Sequence, residues 1–459
     1  MSRELFGTDG IRGVANKTLT AELALSVSLA AGKVIASQNH LKTVVIGRDT
    51  RTSGPMLESA MVSGFLSMGW DVIALGIVPT PCISYVTRTE GFDLGAVISA
   101  SHNPAPDNGI KFFGSNGRKL DDSLEAEIES QMNTPIIDRP QGEKIGRLIQ
   151  GIDLSRRYVD HLVSLGRDLN GLTLAIDAAN GAAYSIAIEV FTKLGAKVIS
   201  TGIEPDGINI NAVGGATKPN TIMDLTKNSG ADLGVAFDGD ADRAVFSDRQ
   251  GRLINGDRTM GCWAIQKKSG GALDPLEIIG TVMSNGGFER YLLSKGITLN
   301  RAPVGDKYVS ERIDLTGAKI GGEQSGHIIF PEFGPTGDGI VTAIQLINSL
   351  LTSNLSAEQV YDEFEPWPQL LLNVEIPTPK DWKSNKIVAD SVSEAENLLE
   401  GKGRINVRPS GTQPVLRIMI EAETQDLRDK VEETVRSALE NGALARIISR
   451  IDLTYALGD

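Results

Sequence analysis

The chain has 459 residues with 58 acidic and 45 basic side chains, and its formal net charge of −13 disfavours broad binding to nucleic acids or anionic membranes. Two cysteines, Cys82 and Cys262, exclude a disulfide scaffold and a zinc site built from cysteine alone. The charged, glycine-containing start MSRELFGTDG and the lack of about 18 consecutive apolar residues predict a cytoplasmic protein without a membrane span.

Apolar strands alternate with helices over most of the chain. A helix is predicted over 20–38, and strands over 43–46, 71–75, 94–98, 172–176, 233–237 and 278–282; a short apolar run, 318–320, leads into another polar loop. This alternation indicates βαβ units and mainly parallel sheets. Ligands of such sheets lie beyond the carboxyl ends of the strands, so the loops after strands are the candidate sites.

The pattern changes after about residue 368. Strands are predicted over 370–376, 404–407 and 415–422, and helices over 388–399 and 427–439. Consecutive strands joined by a short loop favour an antiparallel α+β module. Glu365-Pro366-Trp367-Pro368 is the predicted linker, because its prolines interrupt both helices and ladders, and a helix over 149–165 is predicted to join the first two domains.

Asp238, Asp240 and Asp242 directly follow an apolar strand. If the strand alternation continued, their carboxylates would face one side, where like charges repel unless a cation neutralises them. Oxygen ligands of this kind suit Mg²⁺, whereas an EF-hand would need glycine and glutamate where Arg243 and Arg249 stand. A solvated acidic turn is the alternative; the abrupt change from apolar residues to three carboxylates favours the metal.

Ser101-His102-Asn103-Pro104 follows another strand. A serine here can act as a nucleophile or carry a phosphoryl group, although a turn or a helix cap is the commoner use of serine beside asparagine and proline. His102 does not complete a hydrolytic triad, because the sequence assigns it no partner carboxylate.

Further polar loops combine glycine with charged or hydroxylated residues. Gly322-Glu323-Gln324-Ser325-Gly326-His327 suits the hydroxyls of a sugar, or else is a polar turn with a surface histidine. Arg408-Pro409-Ser410-Gly411-Thr412, followed by Arg417, indicates a phosphate cradle or else a plain hairpin turn. Gly7-Thr8-Asp9-Gly10-Ile11-Arg12-Gly13 and Gly47-Arg48-Asp49-Thr50-Arg51 also place arginine beside glycine, and an Arg-Asp-x-Arg string is typical of a surface ion-pair network.

Taken together and in this order, these loops resemble those of the α-D-phosphohexomutase superfamily, over nearly the whole chain. The loops at Ser101, Asp238, Glu323 and Arg408 are similar to its phosphoserine, metal, sugar and phosphate loops. With Gln324, the sugar loop resembles that of the branch that acts on glucosamine phosphates, since the phosphomannomutase/phosphoglucomutase branch usually has methionine at this position.

The resemblance implies three α/β domains with mainly parallel sheets and a C-terminal α+β domain like the TATA-binding protein, over 1–152, 153–256, 257–368 and 369–459. It implies conversion of glucosamine 6-phosphate into glucosamine 1-phosphate, which feeds UDP-N-acetylglucosamine for the cell wall. Mg²⁺ and a hexosamine 1,6-bisphosphate would be the cofactor and the activating intermediate. The protein would bind a small sugar phosphate, and the resemblance leaves open whether it forms a homodimer.

Besides the phosphomannomutase/phosphoglucomutase branch, which is the sister branch of this superfamily, two other classes of protein stay open. A Mg²⁺-dependent phosphatase would use Asp238 as its nucleophile, since an apolar strand followed by Asp-x-Asp also resembles haloacid-dehalogenase enzymes. A sugar-phosphate sensor without turnover is the other, and the intact set of loops argues against it.

The resemblance also implies roles for individual residues. Ser101 would carry the phosphoryl group and, with Asp238, Asp240 and Asp242, hold the Mg²⁺. Groups that bind the sugar and the non-reacting phosphate would be Glu323, Ser325, Lys307, Arg408, Ser410, Gly411, Thr412 and Arg417. The reacting end would be lined by Arg12, His102, Lys111, Arg243 and His327. Gln413, where the family usually has glutamate, and the tail 444–459 depart from the family pattern.

Overall fold

The computed structural model describes residues 5–7, 9–36, 41–134, 138–376, 378–409, 415–441 and 446–457. Over these residues the chain forms four sheets, each drawn from its own stretch of sequence, and we call each sheet with its helices a domain. No helix within these ranges is long and apolar enough to cross a bilayer. The cytoplasmic location and the domain boundaries expected from the sequence stay predictions.

The first domain has a seven-stranded sheet in the order β1-β2-β6-β5-β3-β4-β7. The strands are β1 (Phe6–Gly7), β2 (Gly10–Val14), β3 (Thr43–Arg48), β4 (Asp71–Ile77), β5 (Leu94–Ile98), β6 (Asp107–Gly114) and β7 (Leu148–Gln150). The helices are α1 (Ala21–Ala36), α2 (Gly54–Ser67), α3 (Thr80–Glu90) and α4 (Asp122–Gln131). Strands β3, β4 and β5 are parallel, and β5 lies in the middle of the sheet. The loop after β5 therefore emerges at the same end of the strands as the loops after β3 and β4.

The second domain has a five-stranded sheet in the order β12-β11-β10-β8-β9. Its elements are α5 (Ile152–Leu165), β8 (Thr173–Asp177), α6 (Ile186–Lys193), β9 (Lys197–Thr201), α7 (Asn220–Ser229), β10 (Leu233–Phe237), β11 (Ala244–Ser247) and β12 (Leu253–Ile254). The helix predicted over 149–165 begins only at Ile152, because Leu148–Gln150 is the edge strand of the first sheet. Strands β10 and β11 form an antiparallel hairpin whose loop is 238–243.

The third domain has a four-stranded sheet in the order β14-β13-β15-β16. Its elements are α8 (Gly256–Ser269), β13 (Glu277–Thr281), α9 (Gly286–Ser294), β14 (Thr298–Ala302), α10 (Asp306–Thr316), β15 (Gly321–Gly322), β16 (Ile328–Ile329), α11 (Gly339–Ser353) and α12 (Ala357–Tyr361). One apolar core runs without interruption through residues of these first three domains. It therefore fixes the loops of three sheets relative to one another.

The fourth domain has an antiparallel sheet in the order β18-β19-β17-β20, with its helices packed on a separate apolar core. Its elements are β17 (Gln369–Glu375), α13 (Lys386–Leu399), β18 (Gly403–Pro409), β19 (Val415–Ala422), α14 (Gln425–Asn441) and β20 (Arg446–Asp452). The predicted fold class, three α/β domains and a C-terminal α+β domain, is confirmed. Hairpins add antiparallel strands to the parallel part of each α/β sheet.

Candidate active site

Ser101 lies in the loop that follows β5, and its side chain points at the second domain. The Ser101 hydroxyl donates a hydrogen bond of 2.6 Å to Oδ2 of Asp238. Ser101 is buried and its backbone is left-handed, with φ of +50°, a region that a serine rarely adopts without support from its surroundings. The predicted phosphoserine and the first predicted metal ligand are therefore in direct contact.

The three aspartates Asp238, Asp240 and Asp242 are buried in the β10–β11 hairpin loop, with carboxylate oxygens within 4.8 Å of one another. They converge because the chain turns after β10, with Ala241 at φ of +58°, and not through a continued strand alternation, which was the condition considered from the sequence. Gly239 allows the approach of the Ser101 loop, since a Cβ at this position would lie 2.5 Å from the Ser101 carbonyl oxygen.

The aspartate cluster has the properties of a site for a hard cation. Among the described residues, the buried Oδ1 atoms of Asp240 and Asp242 have no hydrogen-bond partner, although Nδ1 of His327 lies 3.6 Å from the second. Burial, together with the neighbouring Asp242 and Asp240 carboxylates, raises the pKa of Asp238 well above its ordinary value. Buried carboxylate oxygens with unused acceptor capacity fit a divalent metal ion that prefers oxygen ligands.

Lys111 provides a buried positive charge beside the cluster. It lies on β6, and its Nζ is 3.1 Å from Asp9, 3.4 Å from Asp240 and 3.9 Å from Asp242. Burial opposes its charged form, but these three carboxylates raise the pKa of Lys111 above its ordinary value. The ammonium is thus held protonated at the predicted reacting end.

Asp9 connects several of the cations around this site. It pairs with Arg12 and Lys119, and Lys119 also contacts Asp306 of the third domain at 2.6 Å. Arg12 in turn donates to the side-chain oxygen of Asn103, 3.1 Å away, in the Ser101 loop. Lys119 and Asp306 were missed by the sequence reasoning, because their partners are distant in sequence, and Asp9 was noted only as part of the loop that contains Arg12.

His327 joins the third domain to the aspartate loop, residues 238–243. Its Nδ1 is 3.6 Å from Oδ1 of Asp242, and residues Arg243 and His327 form an isolated antiparallel bridge. Burial opposes the imidazolium form, but the Asp242 carboxylate raises the pKa of His327 to about 9. Only glycine fits at position 326, because the backbone has a φ of +94° and a Cβ would lie 2.2 Å from the Ala244 carbonyl oxygen.

A cavity of about 290 Å³ opens in front of these loops. Residues of all four domains line it: His102, Arg243, Thr281, Met283, Val304, Glu323, Gln324, Ser325, Arg408 and Arg417. Glu323 is oriented by the Gly305 N–H, which donates to Oε1 at 2.9 Å, and by the Ser325 hydroxyl at 3.3 Å from Oε2. The cavity therefore presents carboxylate, hydroxyl, imidazole and guanidinium groups together.

Arg408 and Arg417 face each other across β18 and β19 and supply the basic end of the cavity. Ser410, Gly411, Thr412 and Gln413, which complete the predicted phosphate loop, lie outside the described residues. Lys307, which was predicted to bind the substrate, does not line this cavity. Its Nζ pairs with Asp122 of the first domain at 2.7 Å, and it lines a neighbouring cavity with Lys119 and Asp306.

Two further contacts support the site, and they involve residues that were not predicted as site residues. The Thr80 hydroxyl, at the start of α3, donates to Oδ2 of Asp240 at 2.6 Å. Arg51 forms a completely buried ion pair with Asp49, at 2.9 Å, behind the Ser101 loop. The expected surface ion-pair network is therefore wrong for Asp49 and Arg51.

Models of all four phosphoglucomutase/phosphomannomutase domains match the chain in order. The alpha/beta/alpha domains I, II and III match residues 3–136, 156–251 and 255–367, and the C-terminal domain matches 371–438. These matches include the loops that carry Ser101, Asp238, Glu323 and Arg408.

Similar proteins cover nearly the whole chain. Phosphoglucosamine mutase from Desulforamulus reducens is 47% identical over 439 residues, which are 94% of this chain and 99% of that protein. Phosphoglucosamine mutase from Azorhizobium caulinodans is 44% identical over 447 residues, 96% of this chain and 100% of that protein. A crystal structure of a phosphoglucomutase/phosphomannomutase family protein from Burkholderia thailandensis has a TM-score of 0.80 at 26% identity, covering 96% of this chain and 97% of that one.

Proposed function

This chain belongs to the phosphoglucomutase/phosphomannomutase family, all four of whose domains it contains, and we propose that it interconverts glucosamine 6-phosphate and glucosamine 1-phosphate. It is a phosphohexomutase, an enzyme of the isomerase class. The amino sugar is supported by relatives named phosphoglucosamine mutase at 47% and 44% identity over nearly their full length. The observation that carries the chemistry is the Ser101 hydroxyl, 2.6 Å from Asp238 in the aspartate cluster.

The proposed reaction keeps the phosphoryl group on the enzyme between two transfers. In the first, the bond between phosphorus and Ser101 Oγ breaks as a bond forms to the free hydroxyl of the substrate, whose proton passes to a basic group of the site while Ser101 Oγ takes up a proton. The product of this transfer is a hexosamine 1,6-bisphosphate. After the bisphosphate reverses its orientation, Ser101 Oγ gives its proton to the site and bonds to the phosphorus at the other end. The bond from that phosphorus to the sugar oxygen breaks, the sugar oxygen takes up a proton, and the isomerised monophosphate leaves.

Charge neutralisation and positioning carry most of phosphoryl-transfer catalysis, and the site has groups for both. Asp238, Asp240 and Asp242, with an oxygen on Ser101, would hold a Mg²⁺. When bound, this ion would neutralise negative charge on the transferring group. Arg12, Lys111 and Arg243 would contribute positive charge at the same end, and the nearby imidazoles, His102 and His327, are candidates for proton transfer.

The sugar and its second phosphate would occupy the cavity that residues of all four domains line, at the end formed by the third and fourth domains. Glu323 and Ser325 would bind sugar hydroxyls, with Lys307 reaching them if it leaves Asp122. Arg408 and Arg417, together with Ser410, Gly411 and Thr412, would hold the phosphate that does not react. Since the bisphosphate presents a phosphate at either end, one cradle would serve both transfers.

The test combines the modification with substrate choice. Intact mass before and after phosphatase treatment should show one acid-stable phosphoryl group, mapped to Ser101. Among glucosamine, glucose and mannose 6-phosphates, glucosamine 6-phosphate should have the highest kcat/KM. A preference for mannose or glucose would place the chain in the sister branch of its family.

Two results would contradict a mutase altogether. A hydroxylamine-labile phosphate on Asp238, with release of inorganic phosphate, would indicate a phosphatase. Tight binding of sugar phosphate without turnover, even with added bisphosphate, would indicate a sensor.

A further inference from the structure

We infer that Asp49, Arg51 and Ser99 form a positioning network that holds the Ser101 hydroxyl in line for phosphoryl transfer. The network would set the turnover rate and leave substrate affinity nearly unchanged. This inference rests on the proposed function, because it assigns Ser101 as the phosphoryl carrier. None of the three residues lies among the groups that line the cavity, so each would act through Ser101.

Arg51 binds the backbone of the Ser101 loop from behind. Its guanidinium donates to the carbonyl oxygens of Ser101 at 3.0 Å, Asn103 at 2.8 Å and Pro104 at 2.5 Å. Its Nε donates to Oδ2 of Asp49 at 2.9 Å, and the side chains of both residues are completely buried. A planar guanidinium has enough N–H donors, in fixed directions, to bind these four acceptors at once. The single ammonium group of a lysine cannot place donors in the same directions.

Ser99 connects the same carboxylate to the amide side of Ser101. The Ser99 hydroxyl donates to Oδ2 of Asp49 at 2.6 Å and accepts the Ser101 N–H at 2.9 Å. Asn211 of the second domain adds a donor to the Ser101 carbonyl oxygen at 2.8 Å. Both backbone polar groups of Ser101 are therefore fixed, on opposite sides of the residue.

The conformation of Ser101 explains why such a network is needed. A residue other than glycine at φ of +50° is strained and persists only where its surroundings hold it. The hydroxyl must also return to the same place after each transfer, with and without a phosphoryl group. The contacts of Arg51 and Ser99 involve only the backbone of Ser101, so they leave its Oγ free in both states.

Ser99→Ala and Arg51→Lys test the network, each with a matched control. Ser84→Ala removes an equally buried hydroxyl of the same domain, which donates to the Gly117 carbonyl oxygen at 2.6 Å. Arg428→Lys alters another buried arginine, which pairs with Asp429 and Asp452 in the fourth domain. Turnover, KM, the unfolding midpoint and hydrogen–deuterium exchange of residues 99–103 are measured for all four variants, with saturating hexosamine 1,6-bisphosphate in the kinetic assays.

We expect kcat per folded enzyme to fall by about tenfold in Ser99→Ala, which is the scale of one lost hydrogen bond. In Arg51→Lys we expect a fall of about 100-fold, which is the scale of a small misplacement of the Ser101 hydroxyl. KM should stay within about threefold, since the cavity residues are intact, and exchange of 99–103 should rise. Ser84→Ala and Arg428→Lys should keep wild-type kcat and wild-type exchange in this segment.

A purely structural role gives a different result. The unfolding midpoint would then fall while kcat per folded enzyme stayed at the wild-type value, and this outcome overturns the inference. If Arg51→Lys does not fold, Ser99→Ala decides, because it removes only one hydroxyl. If the wild-type protein has no mutase turnover, the proposed function fails, whatever the variants show. Unchanged hydrogen–deuterium exchange of residues 99–103 in Ser99→Ala would show that the network does not hold the loop.

Discussion

The Thr80 hydroxyl donates a 2.6 Å hydrogen bond to Asp240, and the Thr80 N–H donates to the Asp240 carbonyl oxygen at 2.9 Å. The start of α3 in the first domain therefore orients a carboxylate of the second domain's aspartate loop, residues 238–243, which is the proposed metal site. Residues that hold a ligand in this way commonly change metal affinity by about 10- to 100-fold when they are replaced. The aspartate cluster is thus assembled by two domains.

Thr80→Val should weaken Mg²⁺ binding by about tenfold, because Asp240 loses the donor that orients it. Calorimetric titration with Mg²⁺ measures this directly, and the Mg²⁺ concentration for half-maximal turnover should rise in parallel. Thr87→Val is the control, since Thr87 lies on the same helix and its hydroxyl donates to the Ile83 carbonyl oxygen. Equal Mg²⁺ affinity in Thr80→Val and wild type would remove Thr80 from the metal site.

Asp240→Asn should weaken Mg²⁺ binding and turnover together, because it removes one charge from a hard-cation site. The metal-free protein should keep or gain thermal stability, since crowding of like charges around Asp238 is relieved. Melting curves with and without Mg²⁺ separate the two effects. Unchanged activity at limiting Mg²⁺ would contradict the assignment of three carboxylates to one ion.

Ser101→Ala should lose nearly all turnover and its phosphoryl group while keeping the fold, because removing one loop hydroxyl has a small effect on stability. Intact mass, turnover and the melting midpoint are the three measurements. Near-normal turnover would exclude Ser101 as the phosphoryl carrier. A phosphoryl group that remains on the variant would have to be mapped to another residue.

The stability of the protein should depend on pH through Asp257. Burial raises the pKa of this carboxyl from 3.8 to about 6, although the Asn285 N–H donates to it at 2.8 Å. The folded protein therefore keeps a proton that the unfolded chain releases, and the contribution of Asp257 to stability falls by about 3 kcal/mol as pH rises from about 4 to about 6.

Asp257→Asn should remove this component of the pH dependence, as measured by urea unfolding between pH 4 and pH 8. The exposed Asp153 on α5 supplies the control, Asp153→Asn, which should retain the wild-type profile. Parallel profiles for wild type and Asp257→Asn would show that burial does not shift this group.

The tail, for which the sequence provided no interpretation, holds the fourth domain to its neighbours. Strand β20 pairs with β17 at the edge of the sheet, and the Tyr455 hydroxyl binds Glu365 in the linker. Leu457 then packs against an apolar cluster of the second domain that includes Ile222 and Leu253.

Deleting residues 454–459 should accelerate limited proteolysis in the linker 365–368, because these contacts between domains are lost while the core of the first three domains and the core of the fourth remain. Tyr455→Phe removes only the hydrogen bond to Glu365 and should have a smaller effect. An unchanged cleavage rate after the deletion would show that the tail does not restrain the linker.

Strands whose residues are all apolar and buried were predictable from sequence, as were the loops that follow them. The observed bounds of β5 and β10, Leu94–Ile98 and Leu233–Phe237, are those predicted, and every residue of both strands is buried. Strand β20 was missed because its side chains are mostly exposed and its three isoleucines do not alternate with polar residues.

The contacts that assemble the site were less accessible to sequence reasoning. Thr80 and Asp240 are 160 positions apart, and nothing local in either segment indicates the other. The Asp49–Arg51 pair was misjudged because charged strings are usually solvated, and only the folded chain shows the carbonyl oxygens that surround Arg51.

Arg408→Ala tests the basic end of the cavity, where Arg408 faces Arg417 across two strands. We expect kcat/KM to fall by about tenfold to a few hundredfold, the scale of one lost charge-assisted contact at about 1.5–3 kcal/mol. More bisphosphate should also escape, because a loosened grip lets the intermediate leave before its second transfer. Released bisphosphate and turnover are measured together, with and without added bisphosphate.

The control for this experiment is Arg450→Ala, on the exposed edge strand of the same sheet, which should behave like wild type. Added bisphosphate should restore part of the lost turnover in Arg408→Ala, since it replaces the intermediate that escapes. Wild-type kinetics with no extra demand for bisphosphate would mean that the β18–β19 connection is only a hairpin, and that the non-reacting phosphate binds elsewhere.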